Sequence, residues 1–72
     1  MMGMREIAIE AMKKRNAGIS KDEIHRFMRS QMLLLGMTTE QDHGDWFSIR
    51  LTATGEIVRY DQNGYSYSAS GV

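Results

Sequence analysis

The sequence predicts an α+β fold, in which a two-helix hairpin over residues 4–36 packs on one face of a three-stranded antiparallel β-meander over residues 46–70. Three observations support this prediction. Apolar residues recur at helical spacing in the first half, they alternate with polar residues in the second half, and short glycine-containing turns separate the segments. A chain of 72 residues with 42% hydrophobic content is expected to form a single domain.

The first helix is predicted from Met4 to Asn16. Its apolar side chains lie three and four residues apart and therefore form one stripe, which would face the core. The stripe contains Met4, Ile7, Ala8, Ala11 and Met12. Basic residues at positions 13–15 suit the negative end of the helix dipole. Gly18 then ends the helix, because glycine readily adopts the left-handed conformation found at helix ends.

The second helix begins with two local signals. Ser20 and Glu23 have the spacing of a capping box. Ile19 and Ile24 flank the cap as a hydrophobic staple. Gly36 marks the helix end, and the short linker after the first helix requires the two helices to fold back as a hairpin. The predicted inward stripe consists of Ile24, Phe27, Met28, Gln31, Leu34 and Leu35.

Three strands are predicted after a polar stretch at residues 38–45, for which a loop and a short third helix both remain open. A turn at residues 54–55 joins the first two strands, and Asn63-Gly64 is a strong signal for a two-residue hairpin turn. The pairs that these turns predict are Leu51 with Val58, Ile49 with Tyr60, Tyr60 with Tyr67, and Val58 with Ala69.

The same register assigns the strand residues to the two faces of the sheet, since side chains alternate along a strand. The buried face would contain Phe47, Ile49, Leu51, Val58, Tyr60, Tyr67 and Ala69. The open face would contain Trp46, Arg50, Thr52, Ile57, Arg59, Ser66, Ser68 and Ser70. Arg50 would lie directly opposite Arg59, an unfavourable pairing of like charges.

Charge and cysteine content limit the classes of function. Nine basic and nine acidic residues give a formal net charge of zero, which disfavours long-range attraction to nucleic acid. There are no cysteines, and a small chain without disulfides is typical of the reducing cytoplasm. No apolar run approaches the ~20 residues that span a bilayer. Because a core of this size contributes little net stability, association with a protein partner or a second copy is expected.

The two histidines are the candidates for metal binding or proton transfer. His43 lies in the polar sequence Asp-His-Gly-Asp at residues 42–45, where a solvated loop is the simpler interpretation. His25 has no partner at a metal-ligand spacing. No phosphate-binding glycine loop or nucleophile elbow is present. The sequence therefore predicts a protein that is not an enzyme, with no cofactor and no catalytic or metal-ligating residue.

Nucleic-acid binding is the alternative function. Residues 18–20 followed by Ile24 are similar to the turn and second helix of a helix-turn-helix, and the β-hairpin that follows is similar to the wing of a winged helix. Such domains normally contain three helices, however, and only two are predicted here. A recognition face on the second helix would use Lys21, His25, Arg26 and Arg29. A second version uses the open face of the sheet, with Trp46 for stacking and with Arg50 and Arg59 for phosphates.

The stretch from Ala8 to Met32, AIEAMKKRNAGISKDEIHRFMRSQM, resembles the helical-hairpin motif of the Sin repressor and anti-repressor family of sporulating bacteria. The matching parts are EA at residues 10–11, GIS at residues 18–20 and KDEIHRFM at residues 21–28. In that family the hairpin is a dimerisation hook that pairs the repressor or captures it in a mixed complex, and no three-stranded meander follows it. The resemblance implies an interface that shares residues with the core, namely Ile7, Ala11, Ile24, Phe27, Met28 and Gln31.

Protein interaction is the preferred function. Ile9 projects away from the first helix's stripe, Leu33 lies opposite the second helix's stripe, and seven methionines suit an adaptable binding surface. The predicted protein interface consists of Ile9, Met12, Ile24, Phe27, Met28 and Leu33. We expect a small cytoplasmic regulatory module of bacterial or phage type. It would form a homodimer or occlude a protein partner, with no small-molecule substrate and no membrane contact.

Overall fold

The computed structural model describes residues 2–61 and 64–68. Two helices precede a four-stranded sheet in which neighbouring strands are antiparallel and follow the order of the chain. The elements are α1 (Met4–Asn16), α2 (Lys21–Leu33), β1 (Thr38–Asp42), β2 (Phe47–Leu51), β3 (Ile57–Asp61) and β4 (Gly64–Ser68). Neither helix in these ranges has the length and apolarity that crossing a bilayer requires.

The α+β class and the helical hairpin followed by an antiparallel meander are confirmed. A further strand, β1, lies in the polar stretch for which the sequence left a loop or a third helix open. It pairs antiparallel with β2, with Thr38 opposite Leu51 and Asp42 opposite Phe47. The turn that follows is tight, because the N–H of Gly44 donates to the Asp42 carboxylate at 2.9 Å and Gly44 has a φ of +81°. The sheet therefore extends beneath α2 on the side away from α1.

The turn between the helices forms as predicted. Gly18 has a φ of +84°, and the N–H of Ile19 donates to the carbonyl of Lys14 at 3.0 Å. Ser20 caps α2, since its hydroxyl accepts the N–H of Glu23 at 3.3 Å. Within the described part of the chain the Glu23 carboxylate makes no return bond, so the capping box is half formed.

The core lies between the hairpin and one face of the sheet. Its buried apolar residues are Met4, Ile7, Ala8, Ala11, Ile24, Met28, Met32, Phe47, Ile49, Leu51 and Val58. The stripe of α1 is confirmed except for Met12, which is exposed. Burying a large apolar side chain contributes roughly 1.5–3 kcal/mol relative to leaving it in water, so this cluster is the main source of stability.

The buried stripe of α2 is rotated from the predicted one. Ile24 and Met28 are buried as expected, but they are joined by His25 and Met32. Leu34, predicted to face inward, is 60% exposed. Three other predicted inward residues, Phe27, Gln31 and Leu35, are only half-buried. The rotation follows from β1, because this unpredicted strand covers a side of α2 that the sequence analysis assigned to solvent.

The predicted strand register is displaced by two residues. Ile49 lies opposite Val58 and Phe47 opposite Tyr60, whereas Leu51 had been expected opposite Val58. The cause is the five-residue connection between β2 and β3, residues 52–56, where the N–H of Leu51 donates to the carbonyl of Glu56. Because the displacement is an even number of residues, the same side chains of β2 and β3 still face the helices.

The second hairpin shows the same displacement. Gly64 is not a turn residue but the first residue of β4, where it pairs with Asp61. Val58 therefore lies opposite Tyr67 and Tyr60 opposite Tyr65. The predictions for the side chains of residues 65–68, and those for Asn63, Ala69 and Ser70, lie outside the described part of the structure.

Arg50 and Arg59 are not directly opposite each other. Arg50 pairs with Ile57, and Arg59 pairs with Ser48. The two guanidinium groups are therefore diagonal neighbours, which reduces the repulsion that the sequence analysis expected.

Candidate functional site

A cluster of polar side chains joins α2 to β1. His25 is 6% exposed, and its imidazole stacks on the ring of Phe47 with centroids 3.9 Å apart. Its Nε2 atom is hydrogen-bonded to the Glu40 carboxylate, and its Nδ1 atom lies 3.8 Å from the carboxylate of Asp42. Both carboxylates come from β1, and they reach the same imidazole because alternate residues of a strand face the same side. We call His25, Arg29, Glu40 and Asp42 the α2–β1 cluster.

Arg29 completes the cluster from one turn further along α2. Its Nε and Nη2 atoms donate to the two oxygens of Glu40 at 2.8 and 3.0 Å, a two-point ion pair. These bonds lower the pKa of Glu40, although burial acts in the opposite direction. Glu40 in turn raises the pKa of Arg29. The pKa of Asp42 is lowered chiefly by the N–H of Gly44.

This geometry gives the cluster a structural role. The imidazole of His25 has a carboxylate beside each of its nitrogens and an aromatic ring stacked on one face, so its polar atoms are engaged by this chain's own side chains. Among residues 2–61 and 64–68 there is no group of three or more side chains arranged to hold a metal ion. The cluster attaches an otherwise exposed edge strand to the hairpin.

The same contacts occupy the predicted DNA-recognition face of α2. Lys21 donates to the carbonyl of Gly44, Arg29 is paired with Glu40, and His25 is buried. Arg26 is exposed and has no partner within the described residues. Since the described chain also places a strand where a third helix was left open, this face does not have the features of a helix-turn-helix.

The predicted protein interface divides into core and surface. Ile24 and Met28 are fully buried within this chain, where they belong to the core. Phe27 is half-buried, with the ammonium of Lys14 4.8 Å from its ring centroid. The exposed members are Ile9, Met12 and Leu33.

Three exposed apolar side chains lie together in sequence where α2 ends. Leu33 is 55% exposed, Leu34 60% and Met37 79%. The backbone of Met37 is held in place, because its carbonyl accepts both the N–H and the hydroxyl of Thr52 at 3.0 Å. We call Leu33, Leu34 and Met37 the apolar end of the hairpin. The sequence analysis found only Leu33, since Leu34 was assigned to the core and Met37 follows the helix stop.

The face of the sheet turned away from the helices carries the remaining predicted residues. The indole of Trp46 stacks on His43 at 4.2 Å between centroids, and the guanidinium of Arg59 lies 4.6 Å from the indole. A concavity of about 300 Å³ is lined by Thr39, Glu40, Gln41, Ser48, Arg50 and Ile57. We call this side of β1–β3 the outer sheet face. The structure thus places Trp46, Arg50 and Arg59 on one surface, as the sequence predicted.

Comparison with known proteins finds no matching family model, no matching curated protein and no matching solved structure. The similarity of residues 8–32 to the Sin hairpin therefore remains a resemblance in sequence. Function is inferred from the burial, contacts and charge of the surfaces described above.

Proposed function

We propose that this chain is a small, non-catalytic protein-interaction module that forms a homodimer through the apolar end of its hairpin. The observation that supports this proposal is the exposure of Leu33, Leu34 and Met37 on backbone that is held in place. Exposed apolar side chains are common singly, but three large ones within five residues at the end of a helix are a candidate contact surface.

A second copy of the chain is the partner that best fits this surface. The formal net charge is zero, so two copies do not repel each other over long range. A chain of 72 residues without a disulfide has a small core, and an interface would add buried apolar area to it. Two-fold symmetry would place the apolar end of one copy against the same residues of the other.

Regulation by this module would need no chemistry of its own. A protein that exposes a similar apolar helix end would exchange with one copy of the dimer, so that the mixed complex occludes whatever surface that protein uses elsewhere. The absence of cysteines from the sequence is consistent with a cytoplasmic role in a bacterial or phage regulatory system. This mechanism agrees with what the resemblance of the hairpin implies.

Sedimentation velocity over a range of concentrations, at low and at high salt, tests the proposal. We expect a monomer–dimer equilibrium that changes little with salt, because the contact is apolar. Leu33→Asp should weaken dimerisation roughly 30-fold or more, the effect of losing about 2 kcal/mol at a central contact. Ile9→Asp is the matched control, because it makes the same type of change at an exposed apolar residue of α1.

The possible outcomes can be distinguished from one another once circular dichroism has shown that both variants are folded. A dimer that is lost with Leu33→Asp and kept with Ile9→Asp supports the proposal. Loss of the dimer with Ile9→Asp alone would overturn the proposal and would indicate that the interface lies on α1. A monomer at every concentration would overturn self-association.

A further inference from the structure

We propose that the outer sheet face binds single-stranded nucleic acid, with the phosphate at Arg50 and the adjacent base at Arg59. This site lies on the opposite side of the sheet from the hairpin and does not depend on the proposed dimer.

Charge is distributed unevenly between the two faces of the sheet. The carboxylates of Glu40 and Asp42 lie on the helix side, where Arg29 forms an ion pair with Glu40 and the imidazole of His25 lies beside Asp42. On the outer side, the described strands β1–β3 carry the guanidinium groups of Arg50 and Arg59 and one carboxylate, that of Asp61. Although the net charge of the whole chain is zero, the outer side of β1–β3 thus carries one more cation than anion, and cations complement a phosphate backbone.

The concavity contains polar groups that have no partner in the protein. Ser48 is 6% exposed and lines the concavity, and its hydroxyl makes no hydrogen bond within the described residues. The side chains of Thr39, Gln41 and Arg50 line the same concavity and are also without hydrogen bonds within those residues. Buried polar groups are nearly always satisfied, so the Ser48 hydroxyl and the unpaired Arg50 guanidinium have bonding capacity to offer a ligand that enters the concavity. Hydroxyls, an amide and a guanidinium are suitable donors for phosphate oxygens.

The second half of the site is the guanidinium of Arg59. It is held over the indole of Trp46, whose other neighbour is the imidazole of His43. Asp61 lies 3.6 Å away, which is a loose ion pair, and the Arg59 side chain remains 51% exposed. A guanidinium over an aromatic ring still has an exposed surface on which a nucleobase can stack.

Strand geometry connects the two halves. Arg59 lies directly opposite Ser48, which is a residue of the concavity, and Arg50 is two residues further along the same strand as Ser48. Neighbouring strands are about 4.8 Å apart and residues two apart on one strand are separated by about 7 Å. A phosphate in the concavity and its own base over Arg59 are thus within the reach of one nucleotide.

A single strand fits this surface better than a duplex does. Recognition of duplex DNA usually requires an element that enters a groove, and two of the three Lys and Arg side chains of α2, Lys21 and Arg29, are engaged by β1 or by its turn. An open sheet face with arginines beside an aromatic ring instead resembles the general arrangement by which unpaired bases are bound.

Fluorescence anisotropy of a labelled ten-residue oligothymidylate tests the proposal, with a duplex of equal length and thymidine monophosphate as comparison probes. We expect Arg50→Gln and Arg59→Gln each to weaken single-strand binding by about tenfold. Arg50→Gln should also reduce the slope of log affinity against log salt by about 0.7, the change for one lost phosphate contact on a single strand, whereas Arg59→Gln removes a stacking contact and should leave that slope nearly unchanged. Arg26→Gln is the matched control, because Arg26 is exposed on α2 and far in the fold from the outer sheet face.

The proposal is supported if the oligonucleotide binds and only the two outer-face variants weaken it. Three outcomes would overturn it: no binding at millimolar protein, equal weakening by Arg26→Gln, or a duplex or monophosphate that binds as tightly as the oligonucleotide. Because Arg50 has no partner within the described residues, Arg50→Gln should leave the fold intact, and circular dichroism verifies this.

Discussion

The imidazole of His25 lies flat against the ring of Phe47, with centroids 3.9 Å apart and planes 7° from parallel. His25 belongs to α2 and Phe47 begins β2, so this stack connects the hairpin to the sheet. Glu40 of the neighbouring strand β1 is hydrogen-bonded to the edge of the same imidazole. The α2–β1 cluster thus extends the apolar core to the edge strand, and its contribution to stability can be measured.

Replacement of His25 by alanine should destabilise the fold. His25→Ala removes a buried ring from Phe47 and a hydrogen bond from Glu40, and the expected loss in the free energy of unfolding is about 2–3 kcal/mol. Urea denaturation followed by far-ultraviolet circular dichroism measures it. His43→Ala is the control, because His43 is exposed and its replacement removes only the stack on Trp46. For this variant we expect a loss in the free energy of unfolding of less than about 1 kcal/mol. Equal losses in the two variants would contradict the structural role of the cluster.

Stability should fall in acid because of Glu40 and Asp42. Both carboxyls have a pKa below the ordinary value of about 4, so the folded state binds their protons less readily than the unfolded state does. Their stabilising contribution is therefore complete above the ordinary pKa and is lost as the pH falls through the lowered folded-state pKa. Urea midpoints measured at pH 7, 5, 4 and 3 should decline chiefly below pH 5.

The variant Glu40→Gln isolates one of these groups. It should lose about 1–2 kcal/mol at pH 7, because the ion pair with Arg29 is replaced by weaker neutral bonds, and its stability should vary less between pH 5 and pH 3. Asp45→Asn removes a carboxylate from the exposed turn after β1 and should retain the wild-type pH dependence. An unchanged acid profile in Glu40→Gln would show that other carboxyls cause the decline.

Local signals predicted the helices and the faces of the sheet well. The cap at Ser20 and the turn at Gly18 are short-range features, and so is the alternation of Phe47, Ile49 and Leu51. Register was less accurate because it depends on the length of the connection after Leu51. A displacement of two residues leaves hydrophobic alternation unchanged, so the pattern itself gives no indication of the error.

The edge strand β1 and its cluster could not be predicted from periodicity. The strand reads Thr-Thr-Glu-Gln-Asp and has no apolar alternation. It is held by pairing with β2 and by contacts of Glu40 with Arg29 and His25, which are 11 and 15 residues distant in the chain. The interpretation of α2 failed for the same reason, because the burial of a polar residue such as His25 can be predicted only when its partner strand is known to be present.

The helix cap offers a test of local stability. Ser20→Ala removes the acceptor for the N–H of Glu23 and should cost about 1 kcal/mol of the free energy of unfolding. Ser30→Ala is the matched control within the same helix, since the Ser30 hydroxyl donates to the carbonyl of Phe27 and alanine has the higher helix propensity. Urea denaturation should show a loss for Ser20→Ala and little change or a slight gain for Ser30→Ala. The opposite order would indicate that the cap does not contribute.

Two adjacent residues of α2 test its rotated orientation. Met32 is fully buried in the core, whereas Leu33 is 55% exposed at the apolar end. Met32→Ala should therefore cost about 2–5 kcal/mol, the range for removing a large buried side chain. Leu33→Ala should change the stability of the monomer by no more than about 0.5 kcal/mol, so the pair must be compared at concentrations where sedimentation detects only monomer. If Leu33→Ala is the more damaging substitution under those conditions, α2 presents a different face to the sheet, and the apolar end is part of the core rather than a contact surface.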